Sequence, residues 1–180
     1  MIGIIGGFGD IGCEVVKSLW MMGYRNLLVG GRHNNDMFHT QTEIKYQYID
    51  LNKQVGIENF VKKCKIIINC SGLSCNMTRV LILKIKEHGC SYIEPQFNRL
   101  LKDIIPDRNI AFIQGVGSMP GLSGALPIYL SERFEEVNKI KIYYVGQGKF
   151  THRAAEDYLN GIEDSNNYSM VCYENGELIP

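Results

Sequence analysis

The sequence has no long apolar run, no excess of either charge and no paired-cysteine motif, and each absence removes a class of function. No apolar stretch approaches the ~20 residues needed to cross a bilayer, and the N-terminus lacks a basic segment followed by an apolar run and a cleavage site. A cytoplasmic chain with no membrane partner is expected. The 19 basic side chains are matched by 19 acidic ones, so no overall field draws the chain to nucleic acid. Any anionic ligand must be held locally. Cys13, Cys64, Cys70, Cys75, Cys90 and Cys172 form no CxxC pair, and no Cys/His spacing suits zinc. Reduced, mostly buried thiols and no metal site follow. His33, His39, His88 and His152 lie far apart in sequence and read as surface or core residues.

What the chain does have is apolar alternation and glycine. Its 180 residues, 45% of them hydrophobic, suffice for one well-packed domain and part of a second. Six apolar runs of strand length, at 2–6, 26–30, 45–49, 65–69, 91–94 and 110–114, alternate with segments of helical spacing. That grammar specifies βαβ units and a parallel sheet. Ile11, Val15, Leu19 and Met22 recur at helical intervals after the first strand, with Gly23 as a C-terminal cap. Further helices are expected at 55–64, 76–88, 97–105 and 122–134, the last interrupted or started by Pro127.

The pattern changes after about residue 136. "NKIKIYYVGQGKF" alternates like a strand, "RAAEDYLNGI" has helical spacing, and "YSMVCYENGELIP" holds two runs around Asn-Gly, a hairpin signal. The expected organisation is a doubly wound parallel α/β domain over 1–125 and a partial, smaller α+β region over 126–180 for substrate or dimer contacts. This second region has too few elements to cover a sheet face. Further chain or a second copy is therefore expected to complete it, a homodimer being one solution.

"GFGDIG" matches GxGxxG through Gly7, Gly9 and Gly12, directly after a strand and at the start of an amphipathic helix. In that context the pattern reads as a dinucleotide site. Gly7 is expected to make the tight turn, Gly9 to let a pyrophosphate approach the backbone, and Gly12 to let helix and strand pack closely. Phe8, Asp10 and Ile11 complete the turn, and the first-turn N–H groups hold the phosphates. A ligand-free strand-to-helix turn is the plain alternative.

The end of the second strand reads "LLVGGRHNN", where a site for NAD would carry an acidic residue for the ribose hydroxyl. Gly31 and Arg32 stand there instead. A guanidinium at that point can pair with a 2′-phosphate, so NADP is the expected cofactor. Asp36 is a less well placed ribose contact. Asp50, just past the third strand, can meet the adenine or cap the next helix. After the fourth strand, Cys70, Ser71 and Gly72 form a small-residue loop that lets the nicotinamide half pass. A nucleophilic Cys70 would need an activating histidine, which the sequence does not place.

Four stretches now carry a family likeness: "GIIGGFGDIGCEVVKSL", "LLVGGR", "IIINCSG", and "SYIEPQ" followed by "GVGSMPGLSGALP". Over residues 1 to 130 the chain resembles the saccharopine dehydrogenase-like family of NADP-dependent oxidoreductases. The last stretch resembles the family's Pro-Gly-Leu-Ser turn leading from a Rossmann sheet into a helix. The resemblance implies an NADP(H) domain that exchanges hydride with an imine or secondary amine of an amino acid or oxo acid. Two departures concern the substrate: Glu94 stands where members often carry Asp, and Cys-Ser follows the fourth strand. Catalytic candidates are Glu94 and Tyr92, with Gln96 beside them. The rival function is a non-catalytic NADP-binding sensor or regulatory module.

Overall fold

The alternating strands and helices assemble as a single parallel sheet. The computed structural model of the chain describes residues 1–33, 43–72, 75–97, 109–147, 155, 159, 172–174 and 177–179. In chain order the elements are β1 (Ile2–Ile5), α1 (Asp10–Met21), β2 (Leu27–Gly31), β3 (Lys45–Tyr48), α2 (Ile57–Val61), β4 (Ile66–Asn69), α3 (Cys75–Glu87), β5 (Ser91–Glu94), β6 (Phe112–Gln114), α4 (Leu122–Ser131), β7 (Cys172–Glu174) and β8 (Glu177–Ile179). The first six strands lie in the order β3-β2-β1-β4-β5-β6, every pair parallel. This is the doubly wound Rossmann order, which reverses between β1 and β4.

The central strands β1 and β2 are buried on both faces, which explains why they read as nearly continuous apolar runs, whereas the edge strands β3 and β6 are half-buried or exposed. Ile4, Leu27 and Val29 face α1 and pack with Val16, Val15, Leu19 and Trp20. Ile5, Leu28 and Ile67 point the other way, into a cluster with Phe60 and Val61 of α2 and Leu81, Ile82 and Ile85 of α3. Phe60 is the keystone of that second face. A Cβ on Gly3 would meet its ring at 2.7 Å and one on Gly30 at 2.8 Å, so two bare strand positions seat one aromatic ring.

Several expectations need correction. The buried face of α1 is Gly12, Cys13 and Val16, whereas Ile11 and Met22 are 59% and 73% exposed. The helical period was right and its phase was off, because Gly12 rather than Ile11 takes the position against the sheet. Gly23 does close α1: its N–H bonds Trp20 and the Tyr24 N–H bonds Leu19, the paired bonds of a Schellman cap. The alternating segment from residue 138 forms no strand over 138–147, and Ile140, Ile142, Tyr143 and Val145 are exposed there. Alternation alone makes no strand where no partner among the described residues takes its backbone bonds.

The chain divides into two compact units, Met1–Ile142 and Tyr143–Pro180. Within the first, α4 carries Pro127 in its interior and buries none of its side chains. Within the second, β7 and β8 pair antiparallel and flank Asn175 and Gly176 in sequence, as the hairpin signal requires. Residues 155 and 159 are helical. The expected helix at 97–105 begins on Phe97, which is not helical, and its remainder lies outside the described residues. No helix among the described residues is long and apolar enough to cross a membrane.

Phe60 is fully buried, so Phe60→Ala should cost ~3–5 kcal/mol, the range for deleting a core aromatic ring. Urea unfolding measures this, and a cost near zero would show that Gly3 and Gly30 do not seat the ring.

Candidate functional site

The loop after β1 is wedged between the ends of two neighbouring strands. Its Gly6 N–H donates to the Gly30 carbonyl at 2.8 Å on the β2 side, and the Cys70 N–H donates to the Ile5 carbonyl at 2.8 Å on the β4 side. Gly6 has φ +74°, a conformation that favours glycine, and a Cβ there would come within 2.9 Å of the Cys70 and Ser71 backbone. The Gly9 N–H closes the tight turn on the Gly6 carbonyl at 2.9 Å, with Gly7 and Phe8 at its centre. Gly7 also serves packing, since a Cβ on it would meet the Val29 side chain at 2.6 Å.

Gly12 and Gly9 play opposite parts. A Cβ on Gly12 would collide with the Gly6 carbonyl oxygen, so the first turn of α1 can lie on the loop only without one. Gly9 is the N-cap of α1, is exposed, and would bring its Cβ near only the Gly6 carbonyl, at 3.3 Å. Apart from that one oxygen, nothing within 4 Å crowds a Cβ at the helix start. The Cys13 N–H is the first to reach back along the helix, to the Gly9 carbonyl at 2.8 Å. The N–H groups of Asp10, Ile11 and Gly12 precede it and have no intrahelical acceptor by geometry. Backbone donors, a positive helix end and a missing Cβ together suit the phosphates of a dinucleotide.

Beside this loop, β2 ends in Gly31 and the exposed Arg32. The Phe8 ring lies 5.8 Å from that of Tyr46 between their centroids, and the Tyr46 hydroxyl donates to the Gly31 carbonyl at 3.1 Å. Tyr46 has no signature in sequence, being one of several alternating β3 residues. Asp50 does not cap α2. It is buried, its carboxylate accepts the Lys53 N–H at 3.1 Å, and its backbone pairs with Val55. Asp50 thus closes a turn, while α2 starts on Gly56 as N-cap. Asp36 lies outside the described residues.

On the other side of the reversal, the ends of β4, β5 and β6 hold a buried polar network. The Asn69 side-chain amide donates to the Tyr92 hydroxyl at 2.9 Å and to the Glu94 carboxylate at 3.3 Å. The Gln114 side-chain amide donates to the other Glu94 oxygen at 3.4 Å. Ser71 donates its hydroxyl to the Asn69 carbonyl oxygen at 2.5 Å, which ties the loop after β4 to the same cluster. Glu94 and Tyr92 are brought together as expected, but both are buried, and the Tyr92 ring stacks on Phe112 at 5.2 Å. Asn69 and Gln114, which complete the network, are single polar residues ending apolar strands, the one hint the sequence offers.

The electrostatics follow from burial. Desolvation raises the pKa of Glu94, opposed by its hydrogen bonds from Tyr92 and Gln114. Burial also raises Tyr92, with the Glu94 charge adding to it. The Cys70 thiol is pushed up to about 11, first by burial and then by Glu94. A thiol so placed stays protonated near neutrality, which removes the nucleophile reading. Gln96 is partly buried and its carbonyl accepts the Gly115 N–H at 3.2 Å. Among the described residues no group of three or more His, Cys, Asp or Glu side chains could hold a metal ion.

With this geometry in hand, solved structures give the fold a context. The chain is similar to saccharopine dehydrogenase (L-Glu forming) from Saccharomyces cerevisiae, with a TM-score of 0.62 and 12% identity over 73% of this chain and 30% of that one. It is more loosely similar to shikimate 5-dehydrogenase from Listeria monocytogenes in complex with shikimate and NAD, at TM-score 0.46, 16% identity, and 72% and 50% of the two chains. A short chain dehydrogenase from Leptospira borgpetersenii with bound NAD+ gives TM-score 0.42, 21% identity, and 73% and 65%. The first shares the fold, and this chain spans 30% of its length. The looser two add no argument. No protein-family model matches the chain, and no curated protein matches it.

The raised pKa of Glu94 makes stability depend on pH with a definite sign. Below the ordinary value of 4.5 both folded and unfolded chains hold the proton. As pH rises through 4.5 the unfolded chain ionises first, so stability falls until Glu94 itself ionises, then levels. Urea unfolding across pH should show this decline in the wild type and its loss in Glu94→Gln. Parallel profiles for the two proteins would contradict the burial argument.

Proposed function

We propose that the chain is the nicotinamide-dinucleotide-binding part of an oxidoreductase that uses NADP(H). The observation that carries this reading is the α1 N-terminus, with its Cβ-free approach at Gly9, aimed at the reversal of strand order between β1 and β4. Gly7, Phe8, Gly9, Asp10, Ile11 and Gly12 would hold the pyrophosphate. Gly31 and Arg32 would hold the ribose 2′-phosphate, and Cys70, Ser71 and Gly72 would border the nicotinamide half. The cofactor when bound supplies hydride transfer, and the chain orients it.

The preference for NADP rests on Arg32, which is exposed directly after β2, with no carboxylate in residues 30–35. A planar guanidinium can grip a phosphate with two parallel hydrogen bonds. For the substrate we propose an imine or secondary amine of an amino acid or oxo acid. This is what the sequence resemblance implies, and the fold shared with the yeast saccharopine dehydrogenase supports it. A cytoplasmic setting is part of the proposal, in keeping with free Cys13, Cys64, Cys70 and Cys90.

A binding module without turnover is the second reading. What favours it is that Glu94 and Tyr92 are both buried and bonded to one another's neighbours, leaving neither as an accessible acid or base. Oxidation of NADPH against a panel of oxo acids and amines decides between the two. Turnover supports the enzyme, and tight NADPH binding with none supports the module.

Arg32→Ala should weaken NADPH by about 10- to 100-fold, the worth of a charge-assisted contact, and leave NADH nearly unchanged. Equal losses for both cofactors in a binding titration would sink the NADP assignment. Gly9→Val should abolish binding of either dinucleotide while the fold survives, because its Cβ would crowd only the Gly6 carbonyl oxygen, at 3.3 Å. Gly12→Val should instead melt early, since its side chain meets the Gly6 backbone. Normal NADPH affinity in the Gly9 variant would make the loop a structural turn only.

A further inference from the structure

Glu94 is a carboxylate whose surroundings are built for negative charge, and among the described residues they hold no positive one. It is 3% exposed at the end of β5. Asn69 and Gln114 donate to it through side-chain amides, and the Tyr92 hydroxyl bonds it from its own strand. All three neighbours are donors, and the Tyr92 oxygen already accepts from Asn69. A protonated Glu94 would turn one of its acceptor oxygens into a donor and give up part of that bonding. The ionised form is bonded well but desolvated, with no countercharge among the described residues. Among the described residues the ion pairs join exposed side chains elsewhere, such as Lys17 with Glu14 and Lys84 with Glu87. The titratable groups facing Glu94 are Tyr92 on β5 and Cys70 after β4, both neutral near pH 7, while β6 offers only the Gln114 amide.

The position supplies what the cluster lacks. In this strand order the ends of β4, β5 and β6 border the half of the crevice that takes the second mononucleotide, the nicotinamide half if the proposed function holds. The oxidised nicotinamide ring carries a positive charge and the reduced ring carries none. We propose that Glu94 is the counter-charge to the oxidised ring, so that ionisation of Glu94 and binding of NADP+ reinforce each other while NADPH is indifferent. The inference rests on the dinucleotide reading of the site. It makes Glu94 a residue that sets the balance between oxidised and reduced cofactor, whatever the substrate.

Thermodynamic reciprocity gives the test. Calorimetric titration of the full chain with NADP+ and with NADPH, without substrate, is run from about pH 5 to 9, the span over which buried carboxyls ionise. Phosphate ionisation is common to both cofactors and cancels in the ratio of their dissociation constants. As Glu94 ionises the ratio should shift toward NADP+ by about tenfold or more, the size of effect that an opposite charge within a few ångströms exerts on a carboxyl. Glu94→Gln should hold the ratio flat at the wild type's low-pH value. Gln114→Leu removes one donor from the carboxylate, so it should move the midpoint of the shift to higher pH and leave its two plateaus unchanged. The wild-type profile and the Gln114 variant carry the test even if the Glu94 variant does not fold. A ratio independent of pH in the wild type, with both cofactors bound, overturns the counter-charge role alone. Failure of either cofactor to bind at any pH overturns the dinucleotide reading and this inference with it.

Discussion

The contact on which the rest of the structure depends is that of Gly12 against the Gly6 carbonyl. Because no Cβ intervenes, the first turn of α1 lies directly on the loop leaving β1, and the helix axis is fixed relative to the strand. That fixes the direction in which the unbonded N–H groups of Asp10, Ile11 and Gly12 point. It also rotates α1 so that Cys13 and Val16 are buried and Ile11 is turned out beside the site. A residue of any size at position 12 would displace the helix, and with it the phosphate cradle and the apolar contacts to Val29 and Leu27 together. Stability and binding geometry meet at one atom pair.

The two halves of the sheet's carboxyl edge are built from different materials. Around β1 and β2 the edge is almost all main chain: Gly6, Gly7 and Gly30 let backbone and core pack closely, and Gly9 leaves the start of α1 uncrowded. Around β4, β5 and β6 it is side chain: Asn69, Tyr92, Glu94 and Gln114 interlock below the surface. Pyrophosphate is flexible and multiply charged, so it is well held by convergent N–H groups and a helix end. A planar ring that changes charge by one unit needs a fixed wall with an electrostatic bias, and buried side chains held by several bonds provide one.

Much of this was legible in the sequence because it is periodic or local. The six strands announced themselves as runs of strand length between helical segments, Gly9 and Gly12 were named by their spacing, and Gly31 by its place at the end of β2. The misreadings share a cause: they concern what a residue touches across the fold. Gly6 has no place in the GxGxxG spacing, yet its positive φ and its closeness to the Cys70 and Ser71 backbone demand a glycine. Asp50 was drawn into its own turn by Lys53 and Val55. The phase of α1 was set by the Gly12 contact, not by the largest apolar side chains. The alternating residues from 138 had the pattern of a strand without a partner to pair with over 138–147. Asn69 and Gln114 were invisible because a polar residue ending an apolar strand has no meaning until the neighbouring strand ends beside it.

That last point bears on how the site combines rigidity with responsiveness. A buried carboxylate bonded by three neutral donors is held in place whether or not it is charged, since Asn69 and Gln114 are themselves anchored on strands in register with β5. Its charge state can therefore change with little movement of the backbone. In a sheet edge made of glycine amides alone, a change of ligand charge would have to be met by water or by motion of the loop. Here it can be met by one proton on one side chain. The network that makes Glu94 a poor accessible acid is for the same reason suited to act as a stationary charge, and its burial, which costs stability at neutral pH, keeps that charge from being screened by solvent.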